Sequence, residues 1–190
     1  MKEHQYFPGK LDVAAFARDG AELSGELAAA SLLRLADAAA PEAPASAWPA
    51  VTWRVTGERR EERGAEAQTW LHLEASALVR LTCQRCLQPV EEAIELSHWF
   101  RFVKDEAEAL SVDAESEEDL LVLTRSLDVI ELLEDELLLS LPLVPRHETC
   151  PQPLVAPVDP ALQEMERAEE QRPHPFAALA ALKKQQGPKQ

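Results

Sequence analysis

Long hydrophobic runs are absent from this chain, and so are most of the residue patterns on which familiar chemistry is built. No stretch approaches the roughly 18 uninterrupted apolar residues that a membrane span requires, and residues 1–10 contain no apolar core of signal-peptide length. A soluble, cytoplasmic protein with no membrane partner is expected. Glycine is scarce, with six residues scattered along 190, and no glycine-rich phosphate loop, G-x-S-x-G elbow or H-E-x-x-H helix appears. The many glutamates have the spacing of solvated faces rather than of a paired acid and base. Neither an enzymatic activity nor a small-molecule substrate is expected. The three cysteines, an odd number with two in a tight pair, point to thiols or thiolates in a reducing compartment rather than to a disulfide framework.

Positive charge is the other deficit. Against 34 Asp and Glu the chain has 19 Lys and Arg, a formal net charge of -15. Affinity for nucleic acid draws on cations that release counterions from phosphates, so this balance argues against a broad electrostatic grip on nucleic acid and for a basic partner.

What is present organises into one domain of ordinary size, residues 1–150, followed by a tail over 151–190. Residues 1–20 carry little periodicity and read as an extended or loosely packed arm. An Ala- and Leu-rich run over 22–38, with Leu23, Leu27, Leu32, Leu33 and Leu35, predicts a helix despite Gly25. Pro41, Pro44 and Pro49 form a linker. Alternation then takes over in three runs: 51–56, 71–83 and 93–102. A charged hairpin loop over 58–66 separates the first two, and the cysteine pair turns the second into the third. Residues 105–119 read as a mobile acidic loop, and 120–123 as a short strand. Asp128, with Glu131 three residues on, caps a helix to about Leu141, whose apolar stripe is Ile130, Leu133, Leu137 and Leu141. The tail is rich in Pro and charge and reads as mostly disordered, with a short helix near 176–184. The expected fold class is α+β: an antiparallel sheet packed by one or two helices, with a cysteine knuckle and a flexible C-terminal tail.

Every cysteine falls in one of two short pairs, Cys83-Gln84-Arg85-Cys86 and His147-Glu148-Thr149-Cys150. Two ligand pairs, each held by a turn and far apart in sequence, are how small domains commonly assemble a tetrahedral zinc site, and Cys83, Cys86, His147 and Cys150 would make a Cys3His set. The competing reading is a turn that happens to contain thiols, with His147 and Cys150 merely following a helix. Redox chemistry would need a thiolate lowered by a helix N-terminus, whereas Leu87-Gln88-Pro89 and a strand pattern follow this pair. Arg80, Arg85 and Arg146 flank or occupy the knuckle region and form a candidate RNA patch, with ordinary surface charge as the alternative. Trp53, Trp70 and Trp99 lie on or near strands, where packing is the more common use and base stacking the functional one. His98 on an apolar face reads as a hydrogen-bonded core or edge residue, while His72 and His174 read as solvent-facing.

The segment Leu81-Thr82-Cys83-Gln84-Arg85-Cys86-Leu87-Gln88-Pro89-Val90 resembles a known family. So does 128–150, with Glu134-Asp135-Glu136 and Leu141-Pro142-Leu143-Val144-Pro145-Arg146-His147. A third block, Pro173-His174-Pro175-Phe176-Ala177-Ala178-Leu179-Ala180-Ala181-Leu182-Lys183, is similar to that family's closing Asn-Pro-Phe-type tail, with His174 where the pattern has Asn. The family is YceD, the large ribosomal RNA subunit accumulation proteins. The resemblance implies a ribosome biogenesis role in the synthesis, processing or stability of 23S ribosomal RNA, with no catalytic residues to carry over. The implied partner is that RNA, or else a basic ribosomal or assembly protein through which the RNA effect is indirect.

Overall fold

The computed structural model describes residues 5–61, 64, 66–112, 119–151 and 164–165. The helices are α1 (Val13–Arg18), α2 (Leu33–Asp37), α3 (Glu106–Val112) and α4 (Val129–Leu139); the strands are β1 (Glu22–Leu27), β2 (Val51–Arg60), β3 (Gln68–Thr82), β4 (Pro89–Val103) and β5 (Asp119–Val122). The strands form one sheet in the order β1-β2-β3-β4-β5, so the fold class is α+β. Pairing is antiparallel from β1 to β4. β5 lies parallel to β4, with Phe100 opposite Asp119 and Val103 opposite Val122. A parallel neighbour needs a crossover connection rather than a tight turn, and α3 lies within that connection.

Period-two alternation builds the core. Along β3, Leu71, Leu73, Ala75, Ala77, Val79 and Leu81 are buried, while His72, Glu74, Ser76 and Arg80 stand on the opposite face. β4 continues the pattern with Ile94, Leu96, Phe100 and Phe102 buried. α4 lays Val129, Leu133 and Leu137 into the same core. Its cap is the expected one: the Asp128 carboxylate accepts from the amides of Ile130 (2.9 Å) and Glu131 (3.1 Å).

Three expectations are corrected. The helix over 22–38 does not form as one element: 22–27 is the edge strand β1, running from Glu22 opposite Thr56 to Leu27 opposite Val51. Gly25 shows why. A Cβ there would stand 3.2 Å from the Trp53 indole, and this close approach, with ladder pairing to β2, outweighs an Ala/Leu propensity of a few tenths of a kcal/mol per residue. α-Helix survives only at α2, after a 3-10 turn over Ala29–Ser31, and its first turn lacks a local side-chain cap. A tertiary one replaces it: Glu134 of α4 accepts from the backbone amides of Arg34 (2.7 Å) and Leu35 (3.2 Å).

Residues 5–20 are not a loose arm. Asp12 caps α1 by accepting from the Ala15 amide at 3.0 Å, and Leu11, Val13, Phe16 and Ala17 are buried. Leu11 and Leu127 exchange backbone hydrogen bonds of 2.8 and 2.9 Å. Six residues are too few to announce a helix by periodicity; its stability comes from docking on β2. The acidic stretch is likewise no simple loop, because 106–112 is α3, with the Glu108 amide donating to the Asp105 carboxylate at 2.9 Å; residues 113–118 lie outside the described ones.

The chain divides into two units, Met1–Gln152 and Pro153–Gln190. Of the second only Glu164 and Met165 are described, both helical, so the expected tail helix near 176–184 and His174 fall outside the described residues. Among those described, no helix is long and apolar enough to cross a membrane.

Gly57 is where α1 meets the sheet. A Cβ at this position would come within 2.7 Å of Phe16 Cδ1 and 2.8 Å of the Ala17 backbone, and backbone cannot swing aside. Gly57→Ala is therefore expected to destabilise the domain by about 1–3 kcal/mol, read as a lower midpoint in urea unfolding. An unchanged midpoint would mean that α1 docks more loosely than these distances require.

Candidate metal centre

The β3–β4 ladder ends at Thr82 opposite Pro89, and 83–88 reverse the chain. Cys83 donates its amide to the Gln88 carbonyl (3.0 Å) and Leu87 donates to the Cys83 carbonyl (2.9 Å). Leu87 takes φ 61°, the left-handed conformation, among the described residues the one non-glycine that does. An L-residue adopts it at a cost of roughly 1–2 kcal/mol, and here it lets the amides of the turn face the sulfurs.

The second pair arrives on the segment after α4. Gln84 donates its amide to the Pro145 carbonyl at 2.9 Å, which seats that segment on the knuckle. Cys83, Cys86, His147 and Cys150 then converge, with their ligand atoms all within 4.8 Å of one another. Cys83 and Cys150 sulfurs are 4.0 Å apart and Cys86 Sγ is 3.4 Å from His147 Nδ1. A tetrahedral zinc with ordinary bond lengths places sulfur atoms about 3.8 Å apart and sulfur and nitrogen about 3.6 Å apart. These two separations already lie near those edges. All three cysteines are free, and 4.0 Å is twice the length of a disulfide bond.

His147 is oriented for ligation. Its Nε2 lies 3.0 Å from the Pro89 carbonyl, which can only accept, so Nε2 carries a proton and Nδ1 faces the sulfurs, where a bound metal would take its lone pair. This carbonyl contact is the usual device by which a protein orients a metal-binding imidazole. The sulfurs differ in environment. Burial works against ionisation of Cys83, yet the backbone amides of Cys86, Arg85 and His147, together with the His147 side chain, bring its thiol down to about 5. Burial raises the Cys86 thiol, and hydrogen bonds with Cys150 and Cys83 add to the rise against the lowering amide of Gln88. Three thiols this close cannot readily ionise together without a cation, and a divalent ion would remove that obstacle. The set can hold a metal ion.

The three arginines do not form a free basic patch. Arg80 pairs with Glu91 on the far face of the sheet at 3.1 Å. Arg85, solvent-exposed, folds back onto the second ligand pair, its Nε donating to Cys150 Sγ at 3.0 Å and its Nη2 to the carbonyls of His147 (2.8 Å) and Glu148 (3.1 Å). Arg146 is exposed and makes no ion pair among the described residues. In a chain with so many carboxylates and carbonyls within reach, most of the described arginines find internal partners.

Aromatic stacking surfaces are similarly occupied. Trp53 is buried, with an indole N–H that has no partner among the described residues. Trp70 is buried and donates to Gln68 at 3.0 Å. His72 does not simply face solvent: it stacks on Trp99, ring centroids 4.2 Å apart and 9° from parallel, with Nε2 3.0 Å from Ser97 Oγ. The Arg60 guanidinium covers Trp70 and Trp99 at 4.1 and 4.5 Å from their ring centroids. His98 is hydrogen-bonded as expected, 2.9 Å from both Glu136 and Asp119, and so ties β4 to α4 and β5. Sequence reasoning missed buried Glu136, hidden in the acidic run 134–136, and the inward role of Arg85. No sequence signal distinguishes Arg85 from a surface cation until the second pair is folded beside it.

Comparison with known proteins agrees with these elements. The family model described as "Large ribosomal RNA subunit accumulation protein YceD" matches residues 71–183, which include all four candidate ligands. A Haemophilus influenzae protein, named large ribosomal RNA subunit accumulation protein YceD, is 36% identical over 107 residues. That alignment covers 55% of this chain and 60% of the relative, so the chain spans about three-fifths of the length of the curated relative it matches. No solved structure matches. Knuckle, capped α4 and the segment carrying His147 and Cys150 thus fall within one family match, and the chain belongs to the YceD family of large ribosomal RNA subunit accumulation proteins.

Proposed function

We propose that this protein is a non-catalytic ribosome biogenesis factor of the cytoplasm, needed for the accumulation of 23S ribosomal RNA, and that Cys83, Cys86, His147 and Cys150 hold a structural zinc ion. The observation that carries the functional reading is the family match across 71–183. The zinc reading rests on the convergence of the four ligand atoms. Four protein ligands close the coordination shell and leave no position for an activated water, which is the pattern of structural rather than hydrolytic zinc. Such an ion would tie the tip of the β3–β4 hairpin to the segment that follows α4.

Within that role, charge favours contact through a basic ribosomal or assembly protein over a direct grip on RNA. Arg80 and Arg85 are committed to internal partners. On the sheet face opposite the core, Glu26, Thr52, Ser76 and Glu95 line up across four strands by register, a polar row with a carboxylate at each end, Ser76 Oγ donating to Glu95 at 3.0 Å. Such a row repels phosphate and accepts Lys or Arg. If RNA is nonetheless held at Arg146, few phosphates are neutralised, and the salt dependence should be shallow, with a slope of about -0.7 per phosphate on a single strand.

Three measurements test this function. Protein purified without chelator should contain about one zinc per chain by elemental analysis, and stripping it should lower thermal stability, since structural zinc contributes folding free energy directly. Cys83→Ser and Cys150→Ser should each lose the ion; metal-free protein of unchanged stability refutes the zinc reading. Separately, depletion of the protein should lower mature large-subunit RNA while small-subunit RNA stays near normal, measured by electrophoresis of total RNA. Equal loss of both, or no loss, refutes the ribosomal role. Crosslinking in extract should recover a basic protein in preference to RNA.

A further inference from the structure

We infer that Arg85 is the counter-ion of the metal centre and the residue that retains Cys150 on the metal; the inference rests on the reading of the four residues as a zinc site. Charge comes first. Three thiolates and a neutral imidazole around a divalent ion leave a net charge of about -1, in a chain that is already strongly acidic. The Arg85 guanidinium stands 3.0 Å from Cys150 Sγ, close enough to neutralise that excess where it arises.

Position comes second. Arg85 belongs to the first pair, yet every contact of its guanidinium is with the second: Cys150 Sγ and the carbonyls of His147 and Glu148 at 2.8 and 3.1 Å. The carbonyls orient the plane of the fork and hold the guanidinium of this exposed side chain against the second pair. Arginine suits this position because its donors are arranged rigidly and point to several acceptors at once.

Asymmetry among the sulfurs comes third. Cys83 is served by the amides of Cys86, Arg85 and His147, and Cys86 by that of Gln88. At Cys150 the hydrogen-bond donor is instead a side chain, the Arg85 guanidinium. A charge-assisted hydrogen bond draws electron density from the thiolate, which lowers its reactivity toward electrophiles and raises the energy of sulfur-to-metal charge transfer.

The test uses the full chain and its Arg85→Met and Arg85→Lys variants. Zinc affinity is measured by competition with a chromophoric chelator, the charge-transfer band is read with cobalt(II) in place of zinc, and iodoacetamide labelling of the zinc-loaded protein is mapped by peptide mass. Arg85→Met should weaken zinc binding about 10- to 100-fold, move the cobalt band to lower energy and make Cys150 the first cysteine alkylated. Arg85→Lys, which keeps the charge, should recover most of all three. Equal losses in both variants would show that the fork only pins the 147–148 carbonyls, and an unchanged band and labelling order in Arg85→Met would show no role at all; either overturns the inference. Arg85→Gln, with a neutral donor, replaces Arg85→Met should the latter not fold. A parent protein that takes up no metal overturns the zinc reading itself, whereas a parent that binds metal beside an indifferent Arg85→Met leaves that reading standing.

Discussion

The antiparallel ladder between β3 and β4, from Thr69 opposite Phe102 to Thr82 opposite Pro89, governs both the core and the candidate metal centre. A period of two leaves no freedom once one face is buried, because a slip of one residue would send Leu71, Leu73, Val79 and Leu81 to water and His72, Glu74 and Arg80 to the core. The same parity points Cys83 inward, where it is fully buried. It also sets the hairpin tip, so the second cysteine of the pair emerges three residues later on the side from which the segment after α4 approaches.

That approach is controlled from the other end by α4. Its buried stripe sets the helix on the sheet, and Pro142 prevents its continuation. The chain then runs past the knuckle, where the Pro145 carbonyl receives the Gln84 amide. His147 and Cys150 are therefore delivered by backbone hydrogen bonding before any ion is considered. The polar side of α4 is equally engaged, since Glu134 caps α2 and Glu136 holds His98, and the nominally solvent-facing acidic run becomes a set of tertiary anchors.

Electrostatics follow a common logic across the molecule. With carboxylates in excess, cations are drawn to them, to ring faces or to sulfur: Arg34 to Glu134, Arg60 to Glu58 and two tryptophans, Arg80 to Glu91, Arg85 to Cys150. Among the described residues, these pairings reduce the positive charge available to phosphate. Exposed pairs of this kind contribute little stability individually, but they decide which cations remain available to a partner, and that bears on whether the protein meets RNA or a basic protein.

Much of this was legible in residues alone. The alternating runs named the three central strands, the Asp128 cap and its apolar stripe named α4, and the two short pairs named the four side chains that converge, because each signal is local and carried by backbone periodicity or ligand chemistry. The first forty residues were not, since a short helix and an edge strand owe their existence to partners distant in sequence: α1 to the space above Gly57, and β1 to the indole beside Gly25 and the pairing edge of β2. The parallel seat of β5 and the inward turn of Arg85 belong to the same class. Sequence by itself determined which segments alternate, which helix is capped and which side chains can bind metal. Only the tertiary structure decided what the ambiguous segments pair with and where the long cations point, because burial and long-range hydrogen bonds there outweigh intrinsic preferences of a few tenths of a kcal/mol per residue.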